Sequence, residues 1–178
     1  MTINELDIRY DGICVYATIA VRASIIAKII LSFVNLVLLS AIAIFSLEKV
    51  PLAAVAFSLL EFFLIRFTLW NLYGEEWLII NARSMSYQHH YGFFTTSLRT
   101  IPFHRKITFI PYDEVKENGQ CYSKLMFESY DQNNLPQLIY YSVLHLHEKD
   151  LERFNKHIDQ IFVDEMTFSY EMPPVNLN

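Results

Sequence analysis

Residues 29–47 read IILSFVNLVLLSAIAIFSL, and residues 50–73 read VPLAAVAFSLLEFFLIRFTLWNLY, with only Glu48-Lys49 between them. Each stretch is about 20 residues, the length an α-helix needs to cross roughly 30 Å of hydrocarbon. The helix of a soluble core is usually shorter and carries a polar stripe, and neither stretch has one. The pair therefore reads as a two-helix transmembrane hairpin over residues 23–73. Residues 1–22 precede it, a folded domain over residues 74–162 follows, and residues 163–178 read as a flexible tail.

Charge separates these parts. From Gly74 onward there are 9 Lys/Arg and 14 Asp/Glu, so this part carries the whole net charge of −5, while the first 73 residues balance at five and five. An acidic domain argues against nucleic acid, whose phosphates require a basic face. Cys14 and Cys121 have neither metal-site spacing nor a disulfide framework and read as free thiols. The N-terminus lacks the pattern of a cleavable signal, so insertion falls to the spans themselves. Arg9, Arg22 and Lys28 precede the first span, and Arg83, Arg99, Arg105 and Lys106 follow the second. The connection between the spans offers only Lys49. The excess of positive charge predicts that both termini are cytoplasmic.

Among the polar residues of the spans, Asn35, Glu61 and Arg66 stand out. Glu61 lies near the middle of the second, and Arg66 is about 7.5 Å further along the axis and about 140° around it, so the two do not share a face. Counting back from the tight turn sets Asn35 level with Glu61, Ser32 with Arg66, and Ser40 with Ser58. Small and polar side chains commonly join membrane helices. The register predicts a hydrogen bond from Asn35 to Glu61 in its neutral form, with Arg66 reaching toward the cytoplasm. The alternative places Glu61 against a partner helix or a proton path, since an intramembrane acid is a functional candidate by default.

Outside the spans the pattern is mostly strand. Leu6-Asp7-Ile8-Arg9-Tyr10 and Ile13-Cys14-Val15-Tyr16-Ala17-Thr18-Ile19 flank Asp11-Gly12, the signature of a two-residue β-hairpin turn. Strands are expected over residues 76–80, 84–91, 93–101, 105–110, 123–130 and 137–143, from their β-branched and aromatic content. Pro111-Tyr112-Asp113-Glu114 and Glu117-Asn118-Gly119 read as a polar connection, and Asp131-Gln132-Asn133-Asn134 as a turn. From His147-Glu148-Lys149-Asp150 a helix runs to about Phe162, with Leu151, Phe154, His157, Ile158 and Ile161 on one face. The tail beyond includes Met172-Pro173-Pro174.

The second span runs directly into Leu69-Trp70-Asn71-Leu72-Tyr73-Gly74-Glu75-Glu76. Here Trp70 and Tyr73 suit a headgroup interface. Gly74 would let the chain leave the helix in a left-handed conformation, and Glu75 and Glu76 are expected in water. With Trp70, Leu72, Gly74 and Glu76 in this order, the chain resembles small bacterial two-span membrane proteins with a pleckstrin-homology-like domain, most of them without an assigned function. The resemblance implies an α+β membrane protein: a transmembrane α-hairpin, then a pleckstrin-homology-like β-barrel or sandwich capped by a C-terminal helix. It also implies that the N-terminal hairpin joins the cytoplasmic domain and that the protein resides in the bacterial inner membrane. It supplies no catalytic residues.

No arrangement of side chains announces a reaction. His89 and His90 are adjacent on a strand and point to opposite faces. His145 and His147 could share a face, but no thiolate or acid stands at ligand spacing, and His104 and His157 stand alone. Neither a nucleophile elbow nor a phosphate-binding glycine loop is present. No metal and no cofactor is expected. Arg99, Arg105 and Lys106 form a modest basic cluster able to touch lipid headgroups. The expected function is a non-enzymatic adaptor or regulatory subunit that presents its domain to a membrane protein partner or works as a homo-oligomer. The alternatives are an immunity-type protein that protects the membrane from a toxin, a lipid sensor, and a subunit of a proton-coupled transporter.

Overall fold

A computed structural model describes residues 5–21, 23–117, 119–131 and 133–170. Arg22, Asn118, Gln132 and the Met172-Pro173-Pro174 stretch lie outside the described residues. The chain is an α+β protein. Strands β1 (Glu5–Tyr10) and β2 (Val15–Ala20) precede two long helices, α1 (Ile25–Leu47) and α2 (Pro51–Tyr73). Then come β3 (Gly74–Ile80), β4 (Ser84–Tyr91), β5 (Arg99–Pro102), β6 (Thr108–Glu117), β7 (Gln120–Tyr130), β8 (Pro136–Tyr141), β9 (Leu146–His147) and α3 (Glu148–Tyr170).

Both long helices are long and apolar enough to cross a membrane. Ser24 caps α1, its Oγ accepting from the Ala27 amide at 3.2 Å. Pro51 opens α2, where a missing N–H costs nothing. Between them Lys49 takes φ +56°, which reverses the chain within a three-residue turn.

The register of the hairpin differs from the one counted back from the turn. Phe45 stacks on Phe57 with ring centroids 5.2 Å apart, and Asn35 Nδ2 donates to Thr68 Oγ1 at 2.7 Å. Asn35 therefore pairs with Thr68, not with Glu61. The turn climbs past the end of α1 before α2 descends, so α2 is displaced by about a turn and a half from a level start. Ser40 and Ser58 do not pair either; each hydroxyl donates to the carbonyl four residues back in its own helix, Leu36 and Ala54.

β1 to β5 form one antiparallel sheet in chain order, so β2 pairs with β3 across the entire helical hairpin. β6, β7 and β8 form a second sheet, to which β9 adds on β7. No strand ladder joins the two sheets among the described residues, so of the expected barrel or sandwich the chain forms two open sheets and no closed barrel. One backbone bond, from the His104 amide to the Tyr130 carbonyl, bridges a corner at 3.2 Å.

The core lies between the sheets and under α3. It takes Val15, Ala17 and Ile19 from β2, Leu78 and Ile80 from β3, and Leu125 and Phe127 from β7. Leu151, Phe154, Ile158 and Ile161 of α3 close it, the face that the helical spacing predicts. This helix continues past Phe162 to Tyr170.

Several strand boundaries move. The Asp11-Gly12 turn is a four-residue loop closed by Tyr10 opposite Val15, because the Asp11 carboxylate accepts from both the Ile13 and Cys14 amides. β5 is short, and Phe93 to Leu98 form a loop held to β4 by a bridge at Thr95 and by backbone bonds from the Thr96 amide to the His89 carbonyl and from the Tyr91 amide to the Phe94 carbonyl. Pro111 to Glu114 belong to β6, which accommodates them with a bulge between Tyr112 and Val115.

Candidate functional site

The place where α2 becomes β3 brings together five of the residues expected to matter: Arg66, Trp70, Tyr73, Gly74 and Glu76. Gly74 ends the helix, its amide donating to the Trp70 carbonyl. Its backbone is extended (φ −66°), not left-handed; a glycine is required there because a Cβ would lie 2.3 Å from the Trp70 carbonyl oxygen and 2.8 Å from its indole. β4 runs back toward the helix and sets Tyr91 opposite Gly74. Gly92 then turns the chain at φ +82°, so close to Tyr73 that a Cβ would meet the Tyr73 Cβ at 2.8 Å.

Strand alternation puts Tyr87, His89 and Tyr91 on the face that continues the core, where α2 covers it. Trp70 packs on His89 and Tyr91 with centroids 5.7 and 5.1 Å apart. His90 points the other way and stacks flat on Trp77 at 5.2 Å. Arg66 reaches down α2 to Tyr91, its guanidinium 5.5 Å from the ring centre and its Nη2 donating to the hydroxyl at 3.4 Å. Phe94 stacks on the same ring at 4.7 Å. Between α2 and β4 remains an open cleft of about 470 Å³, walled by Phe63, Phe67, Trp70 and His89 and rimmed by Arg66 and Thr96.

Beneath the cleft lies Glu76. It is 0% exposed, in contrast to the expected position in water. Alternation along β3 directs Glu76 inward with Leu78 and Ile80, while Trp77 points out. Glu76 Oε1 accepts from the Val143 amide at 2.6 Å and lies 3.8 Å from His89 Nε2. The Tyr140 hydroxyl stands 3.2 Å from the same His89 nitrogen. Burial pushes the Glu76 carboxyl up to about 7, against the opposing pull of the Val143 amide, the Tyr140 hydroxyl, the Leu144 amide and Lys124. Burial lowers His89, and Arg66 and Arg99 lower it further. Tyr140 is held protonated by burial and by the neighbouring carboxylate.

The other candidates are dispersed. Glu61 and Thr68, seven residues apart and so on one side of α2, are its two buried residues; Glu61 faces α1 two turns from Asn35. Neither carboxyl oxygen of Glu61 has a hydrogen-bond partner among the described residues. Asn35 and Glu61 thus occupy separate levels, and Arg66 turns to Tyr91 instead of to either. Arg99, Arg105 and Lys106 do not converge. Lys106 Nζ pairs with Asp159 on α3 at 2.6 Å, and Arg105 lies over the Tyr130 ring at 5.3 Å. Both stand beyond β5, which ends opposite Ser84, about seven residues or ~23 Å of strand from the junction. His145 goes to Asp113 and His147 to the Tyr122 ring. Among the described residues no three metal-ligating side chains gather.

The partnership of Glu76, His89 and Tyr140 was not expected from the sequence. One part of it was legible: Glu76, Leu78 and Ile80 at spacing two place the acid on a buried face. Tyr140 arrives from β8 and Val143 from the connection that follows it, and nothing local announces them. No protein-family model, curated protein or solved structure matches the chain.

Proposed function

We propose that this protein is a non-enzymatic membrane adaptor or regulatory subunit. In this reading α1 and α2 cross the cytoplasmic membrane as a hairpin, and the two-sheet domain sits on its cytoplasmic face and engages a protein partner. The observation that supports it most is the uncovered apolar surface of both helices. Only 6% and 11% of their most apolar stretches are buried, and Leu52 is 83% exposed. A core helix would bury its apolar side; these two leave it to be covered by lipid. The balance of Lys and Arg around the spans supports the cytoplasmic placement. The resemblance at Trp70, Leu72, Gly74 and Glu76 supports the same architecture. A groove or a free sheet edge suits docking of a helix or addition of a strand.

The test is extraction of the tagged full-length protein from native membranes in mild detergent, followed by mass spectrometry of what comes with it. A stoichiometric protein partner is expected. Recovery of the chain alone, or only with copies of itself, would overturn the adaptor reading.

A further inference from the structure

Arg66 has an unusual position for a cation on an apolar helix. Its hydrogen bond and its ring contact both go to Tyr91, and among the described residues no carboxylate pairs with it. It stands at the rim of the cleft, and its charge and that of Arg99 both act on His89 at the cleft wall. The loop after β4 supplies Thr96 to the cleft, packs on its wall residue Tyr91 through Phe94, and is itself apolar. Phe93, packed on Tyr73, is 81% exposed, and Phe94 and Leu98 are exposed on the same loop. Phe63 and Phe67 continue that surface up α2.

We propose that this cleft binds one anionic phospholipid, with Arg66 holding the phosphate and Phe63, Phe67 and the Phe93-Phe94 loop bordering its acyl chains. The inference rests on the reading of α1 and α2 as membrane spans, which sets the end of α2 at the headgroup level. Charge selects the ligand: an arginine without a carboxylate favours a phosphate, and a second arginine nearby disfavours the ammonium of a zwitterionic headgroup. This apolar surface selects the source, because a free phosphate would leave Phe63, Phe67 and Phe93 uncovered. A lipid covers them at the same depth as the helices themselves.

Native mass spectrometry of the full-length chain, titrated with phosphatidylglycerol or phosphatidylcholine, reads the site directly. The expected result is about a fivefold to tenfold preference for phosphatidylglycerol. It should be lost in R66Q, kept in R66K, and unchanged in K106Q, whose residue lies at the far end of the sheet. Equal binding of the two lipids, or a preference that survives R66Q, overturns the proposal. Displacement by millimolar inorganic phosphate overturns the lipid as the ligand. Should R66Q fail to fold, brominated phosphatidylglycerol must quench Trp70 emission in a W77F background more than brominated phosphatidylcholine does; equal quenching also overturns the proposal. Alkaline carbonate extraction of the same membranes separates the two levels. Release of the chain into the supernatant would overturn the spanning reading, whereas retention without lipid preference would overturn only the cleft.

Discussion

Glu76 and His89 sit 3.8 Å apart and bias stability in opposite directions. The Glu76 carboxyl rises on folding from 4.5 to about 7, so the folded state holds its proton more tightly. Its contribution is greatest below pH 4.5 and is lost as pH rises through 7, by about 3 kcal/mol in all. His89 is lowered from 6.5 on folding, so its penalty applies at low pH and disappears as pH rises through 6.5. The two slopes partly cancel where they overlap. Thermal unfolding between about pH 5 and pH 8 should therefore show a shallow profile for the wild type. E76Q should gain stability as pH rises, and H89Q should lose it. An E76Q profile superimposed on the wild type would show that Glu76 does not titrate with folding.

At the scale of elements, the helical hairpin is joined by few specific contacts. Asn35 is the buried residue of α1, and its amide bonds both the Leu31 carbonyl at 2.6 Å and Thr68 at 2.7 Å. The Phe45–Phe57 stack holds the end near the turn. A double-mutant cycle on Asn35→Ala and Thr68→Val should give a coupling of about 0.6 kcal/mol, with an upper bound of roughly 1.7 kcal/mol, as for interhelical hydrogen bonds in membranes. Unfolding of the four proteins in mixed micelles measures it. A cycle built instead on Asn35 and Glu61 should show no coupling of that size, since those side chains lie two turns apart. Zero coupling between Asn35 and Thr68 would contradict the register.

Across the whole molecule, one sheet holds both ends of the helical hairpin. β2 and β3 pair residue by residue from Val15–Ile80 to Ala20–Glu75, so the segments before α1 and after α2 must lie on the same side of any membrane the helices cross. The two cysteines report on this without further mutation. Cys14 follows β1, Cys121 lies in β7, and both are free and partly exposed. A membrane-impermeant maleimide should label neither in intact cells and both in inside-out vesicles. Cys14 should react more slowly, because burial and the nearby Asp11 carboxylate raise its thiol. Labelling of one cysteine from each side would break the shared sheet.

Apolar length, helical spacing and strand alternation are local properties, and whatever depends on them could be read along the chain. The two long helices, the core-facing Leu151, Phe154, Ile158 and Ile161 of α3, and the separate faces of His89 and His90 were all legible because each follows from transfer free energy and backbone period within a few residues. Tertiary structure alone decided the rest. The path of the three-residue turn sets which side chain Asn35 meets, and no count along the chain contains it. Pairing of β2 with β3 joins strands separated by the whole helical hairpin. Tyr140 of β8 and Val143 of the connection after it come to a glutamate they do not adjoin in sequence, and the return of β4 brings Tyr91 under Arg66. These contacts depend on how distant segments close on one another, which is a property of packing and not of any single stretch of residues.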